Sequence, residues 1–294
     1  MKGRLRSFFT PTVIFSLAVL VLVILAGALA PVLAPWDPNE NHLSETLQGA
    51  SAAHLLGTDA TGRDIFSRLL YGTRSTLLSA LGIVAFATAI GVPLGLFAGY
   101  YGGWFDRVVL RACDVIIAFP SLLLAFVFVG AFGRNLTNSV LAIGIIYIPM
   151  TAKLTRSLTL TEKAKSYVEA ARTIGYRGAR IVFREILPNA VPSLMAQLTL
   201  DVGYAILDLA AMSFLGLGVQ PPTADWGAML SDGQAVLFAH PFNALAPGVA
   251  IAVTVVAINL FSDGVLRYID PSRRRLPRLR KQRLRVLAEE ASHG

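Results

Sequence analysis

Residues 12–34 read TVIFSLAVLVLVILAGALAPVLA, 23 residues without a charge. As a helix rising about 1.5 Å per residue, this stretch covers roughly 35 Å, enough to cross a bilayer core. Further apolar stretches run over 75–105, 115–133, 135–152 and 190–216, and a last one lies between Asp232 and Asp263 with its core at 244–260. The pattern predicts an all-α polytopic membrane protein with six transmembrane helices. Composition agrees: 54% of the 294 residues are hydrophobic and 15% charged, against about 25% charged in soluble domains. Cys113 is the only cysteine, which excludes an intrachain disulfide framework and a Cys-rich metal site.

The first span resembles a signal peptide in its basic start (Lys2, Arg4, Arg6) and its Ala28-Leu29-Ala30. Its apolar run exceeds the roughly 7–15 residues of a signal core, and Pro31 would directly follow the cut. We read it as a retained helix. With the N-terminus inside, cytoplasmic segments hold 22 of the 26 Lys and Arg, and outer loops hold four: Arg63, Arg68, Arg74 and Arg134. The positive-inside rule therefore places both termini in the cytoplasm. The net charge of +8 is chiefly a topology signal. The tail from Arg273 to Arg285 suits lipid headgroups or a subunit rather than nucleic acid.

The chain divides into an N-terminal tail and first span (1–34), an outer loop (35–74), a five-helix core (75–272) and a basic tail (273–294). Within the core, the cytoplasmic loop 153–188 predicts a short helix at 168–174 capped by Gly175, then a second at 178–187 that stops at Pro188.

Glu169-Ala170-Ala171, Gly175 and Ile186-Leu187-Pro188 resemble the EAA motif of bacterial ABC importer permeases. GTDATGRD at 57–64, SFLGLG at 213–218, Trp226-Gly227, Asp263-Gly264 and Asp270-Pro271 resemble the C-type permease of the peptide/nickel importers. Glu185 stands where many members carry His. The resemblance spans about 12–272 and implies a type I ABC importer permease fold. It implies a pore half completed by a second, homologous permease, two cytoplasmic ATPases that hold ATP and magnesium, and an extracytoplasmic binding protein. The implied setting is the bacterial inner membrane, and the cargo is di- or oligopeptides or, alternatively, nickel or another chelated metal. A stand-alone channel or secondary transporter is the different-class alternative.

No phosphate-cradling G-x-x-x-x-G-K-[ST] segment occurs, so we expect no catalytic site, cofactor or metal in this chain. Glu169, Ala170, Ala171 and Gly175 are the expected ATPase-coupling residues. The alanines keep the helix thin enough for a groove, and Glu169 complements the positive helix start. Gln197, Asp201, Tyr204 and Asp208 share a helix face. Carboxylates at membrane depth line an aqueous path or bond neighbouring helices, and both readings stay open here. Gly91, Gly95, Gly99 and Gly103 recur every fourth residue, which favours close packing within the subunit or against the partner permease. Pro93 is a potential kink.

Overall fold

The computed structural model describes residues 10–269. The N-tail cations, Asp270-Pro271 and the 273–294 tail lie outside the described residues. Regular structure is helical: α1 (Pro11–Ala28), α2 (Ala30–Leu33), α3 (Ile65–Tyr101), α4 (Gly103–Ile117), α5 (Ser121–Phe132), α6 (Leu136–Lys163), α7 (Ser166–Thr173), α8 (Gly178–Ile181), α9 (Leu187–Phe214), α10 (Trp226–Gln234) and α11 (Phe242–Ile269). Five helical stretches are long and apolar enough to cross a membrane. The third predicted span is not one helix. Its stretch 115–133 holds only the end of α4 and all of α5; the two helices are bent by 86° and make a sixth span only as a broken pair that takes in all of 103–132. Pro120 caps α5 with extended backbone; proline lacks an N–H and disfavours helix at the residue before it.

Other boundaries move for identifiable reasons. The second span starts at Ile65 rather than 75, because Asp64 caps α3 by accepting the Ser67 N–H at 2.7 Å. The outer loop thus ends ten residues early. Arg68, inside that first turn of α3, is buried and donates to the Pro38 carbonyl at 2.8 Å. The fourth span runs on to Lys163, into the predicted cytoplasmic loop. The helix expected to stop at Pro188 continues through a π-turn at Val182–Ile186, where the Leu187 N–H reaches back to the Val182 carbonyl. The wider turn absorbs a proline whose N–H is missing. The last of the predicted outer loops contains α10, fastened by Asp225: its carboxylate accepts the Gly227 and Ala228 N–H groups and the Thr76 hydroxyl. Trp226, 1% exposed, donates its indole N–H to the Leu69 carbonyl.

The most extensive packing joins α3 to α6. Gly91, Gly95 and Gly99 lie bare against Thr151, Thr155 and Thr159. Each threonine hydroxyl bonds the carbonyl one turn back on α6, so the hydroxyls are satisfied and the backbones can approach closely. The glycine stripe is an intrasubunit seam. Gly103 is not part of it: it follows the helix break with φ +66°, and a Cβ there would meet open space. Pro93 lies within the single helix α3. Outward side chains such as Phe15, Leu22 and Val127 are well exposed, which suits lipid contact rather than water.

Candidate functional site

Helix α7 stands at the elbow between α6 and α8, in the loop predicted to be cytoplasmic. Its end is a Schellman closure: Gly175, at φ +85°, donates to the Arg172 carbonyl, and Tyr176 donates to that of Ala171. Val168 and Ala171 are buried with Leu96, Ile181, Val182 and Ile186. Glu169 and Ala170 are exposed. The four predicted coupling residues therefore divide. Ala171 faces the chain's own core and does not thin the outward surface, because the 3.6-residue period places it one turn from Val168. Ile174, 72% exposed, extends the outward face. It is a large apolar residue just before the closing glycine, which is the sequence signal that would have found it.

The elbow is fastened to more than the fourth and fifth spans. Lys163 donates to the Tyr100 carbonyl at 2.6 Å, and Arg172 lies over the Tyr100 ring at 5.3 Å. Glu162 accepts Lys165 and the Tyr167 hydroxyl, both at 2.6 Å. The elbow is thus fastened to the C-terminal end of α3 as well. On the other side, α4 is tied to α6 by Asp106–Arg156 and Asp114–Lys153 pairs.

The second predicted group comes together. Gln197, Asp201, Tyr204 and Asp208 line one cavity of about 480 Å³, with Tyr147 and Ser121 opposite. Gln197 donates to Asp201 at 3.0 Å, and the Tyr147 hydroxyl donates to Asp208 at 2.8 Å. Tyr204 is 54% exposed. Tyr147 was not singled out from the sequence; a lone tyrosine in an apolar span carries no distinguishing pattern. Asp208 is bonded to the neighbouring helix α6, whereas Asp201 is bonded within its own helix α9. Each borders the cavity with free acceptor capacity. Among the described residues, no three His, Cys, Asp or Glu side chains gather as metal ligands.

Comparison with known proteins adds independent findings. Residues 91–275 match the family described as binding-protein-dependent transport system inner membrane component, and residues 8–50 match the N-terminal transmembrane domain of oligopeptide transport permease C. The glutathione transport system permease protein GsiD of Pectobacterium atrosepticum is 42% identical, over 90% of this chain and 89% of its own length. The dipeptide transport system permease protein DppC of Alkalihalophilus pseudofirmus is 40% identical over 88% and 85%. The probable D,D-dipeptide transport system permease protein DdpC of Escherichia coli K12 is 40% identical over 89% and 88%. A chain of the MetNI methionine ABC transporter superposes with TM-score 0.57 at 20% identity, covering 69% of this chain and 96% of that one; this is a likeness of fold.

Proposed function

We propose, because the chain belongs to the family of binding-protein-dependent transport system inner membrane components, that it supplies half of the pore through which an ATP-driven importer moves short peptides. It is a multi-pass inner-membrane permease of an ABC importer, and peptide is the cargo of relatives named for dipeptides and glutathione. The nickel alternative is not favoured. The observation that carries the mechanism is the elbow: an outward-facing helix whose buried side is shared with the cytoplasmic ends of α3 and α9. Partner ATPases holding ATP and magnesium push on Glu169, Ala170 and Ile174, Gly175 fixes the turn, and the seam between α3 and α6 carries the motion as a rigid body. A second, homologous permease closes the other side, and a binding protein delivers the peptide from outside. Uptake of a labelled dipeptide by proteoliposomes holding the whole importer should require ATP and the binding protein. Uptake by this chain alone would overturn the reading.

The orientation has a direct check. In a background with Cys113 replaced, a cysteine at exposed Ala50 should react with an impermeant thiol reagent from outside, and one at exposed Ser166 should not. Thr58 is unsuited to this test, since it is fully buried and its hydroxyl accepts the Gln48 N–H. The reverse labelling pattern would overturn cytoplasmic termini.

The carboxylate-lined cavity offers a wet, negative surface to a peptide's ammonium group. Asp201→Asn and Asp208→Asn retain shape and hydrogen bonding. Import per assembled complex should fall by roughly tenfold for Asp201→Asn, the weight of about 1.4 kcal/mol, and by less for Asp208→Asn, nearer the outside. Unchanged import per complex in both would leave these residues a structural role only.

A further inference from the structure

A larger groove, of about 690 Å³, lies between α1, α3, α9 and α11, with Leu20, Ile24, Leu77, Leu81, Leu198 and Ile258 among its walls. Apart from three threonines every lining side chain is apolar, and none is charged. Its α9 residues, Met195, Leu198, Thr199 and Val202, are centred about 140° round the helix from Gln197, Asp201, Tyr204 and Asp208, at about 100° per residue. The surface of α9 that borders the carboxylate cavity is therefore not the surface that borders the groove. The groove opens outward, since Ile24 is 57% exposed and Leu81 51%.

The residue at the head of the groove marks it. Arg74, Leu77, Leu81, Ala85 and Thr88 follow one another on α3 at intervals of three or four, which sets them on one face. The last four line the groove. Arg74 stands one turn beyond, level with the end of α1: a Cβ on Gly27 would fall 3.3 Å from the Arg74 nitrogen. Helical Cβ atoms tilt toward the N-terminus, so the Arg74 side chain reaches away from the groove, to where α1 ends and headgroups begin. Of the other cations predicted outside, Arg63 is held by Asp59, and Arg68 by the Pro38 and Pro222 carbonyls. Arg74 is exposed, and among the described residues no ion pair or hydrogen bond engages its guanidinium. From Leu77 to Ala89 the α3 wall covers roughly 18 Å at about 1.5 Å per residue, close to one leaflet of a hydrocarbon core about 30 Å thick.

We propose that this groove is a binding site for one anionic phospholipid, its tail lying along 77–89 and its phosphate on the Arg74 guanidinium. The lipid belongs to the leaflet at the Arg74 end, the outer one in the predicted topology. A guanidinium fork matches phosphate with paired N–H donors. Among the described residues no carboxylate pairs with Arg74 to receive an ammonium, so the charge at the head selects phosphatidylglycerol over phosphatidylethanolamine. The groove holds no charge or amide to orient a peptide, and its walls suit hydrocarbon. The bound tail fills the space between α1 and the core of α3, α9 and α11, and so fastens the first span to the rest of the chain.

The test uses the assembled importer in phosphatidylcholine nanodiscs that carry a trace of phosphatidylglycerol with a diazirine in its tail. After illumination, mass spectrometry locates the label. Peptides holding Leu81 and Met195 should take about fivefold more label from this probe than from phosphatidylethanolamine with the same tail, the effect of one cation on one net negative charge. Elsewhere on the exposed surface the two probes should label alike. Arg74→Gln should remove the preference, while Arg134→Gln, an exposed cation between α5 and α6, should keep it. Ala85→Phe, which puts a ring into the groove from an exposed position, should lower labelling there by both probes. The comparison of probes is made on the wild-type chain and needs no variant to fold. Equal labelling of the groove by the two probes, or a preference that survives Arg74→Gln, overturns the site. So does label at these peptides in the isolated permease but not in the assembled importer, since the second permease would then be the occupant. A phosphatidylglycerol preference of the same size over the whole exposed surface means bulk lipid only, and overturns it as well.

Discussion

Glu169→Lys should abolish most import while leaving the permease folded and inserted. The Glu169 side chain is exposed, in the first turn of α7, and among the described residues no ion pair or side-chain hydrogen bond holds its carboxylate. Reversal therefore costs this chain only the helix-end term, about 0.3–1 kcal/mol. Against a partner's basic group the cost is that of a broken interfacial pair, about 2–5 kcal/mol, or a loss of about 30-fold or more in import. Gly175→Pro should match it by another route. Proline fixes φ near −65°, whereas Gly175 sits at +85° and donates to the Arg172 carbonyl, so the Schellman closure is lost and the elbow is re-aimed. Dipeptide uptake alongside ATPase binding in the same membranes is the measurement. If both variants import at the normal rate, the elbow is a connector and the coupling assignment fails.

Gly95→Leu should remove the protein itself. A Cβ at Gly95 would fall within contact of the Ala152 carbonyl oxygen and only 2.6 Å from Thr155 Cβ and 2.9 Å from the Arg156 nitrogen. Two of those atoms are backbone, so relief requires α3 and α6 to part along their whole seam. Overpacking typically costs about 1–3 kcal/mol where side chains can yield, and here they cannot. We expect folded, detergent-extractable permease to drop by about tenfold or more, the equivalent of at least about 1.4 kcal/mol. Gly82→Ala, whose nearest neighbour would be Val140 at an ordinary 3.6 Å, should be near neutral on the same yield of folded, extractable permease. Equal yields of the two variants would contradict the seam.

Both predictions separate what a line of residues can state from what it cannot. The EAA stretch was legible because its helix, glycine and proline are local signals. The side on which Ala171 packs was not, since that depends on Leu96 of α3 and Ile181 of α8 closing over it. The four-residue face of α9 was legible from spacing alone. Its partner Tyr147 lies 61 residues from Asp208, and no local pattern joins them. The glycine stripe was visible, yet its partner was not, and Gly103 left it because the helix breaks at Gly102.

The sequence by itself determined that the chain carries membrane-spanning helices and where the elbow between α6 and α8 lies, and it sets the expectation for which way the chain faces. Those follow from hydropathy, charge bias and turn residues, which are sums over neighbours in the chain. The tertiary structure alone decided where the charges inside helices go, where the third span breaks, and which polar groups stay unpaired. Arg68 could enter α3 because Pro38 and Pro222 supply carbonyls, and Asp225 could be buried because Thr76, 149 residues away, donates to it. Desolvating a polar group is costly unless a partner meets it, and those partners are set by the folded packing rather than by the order of residues.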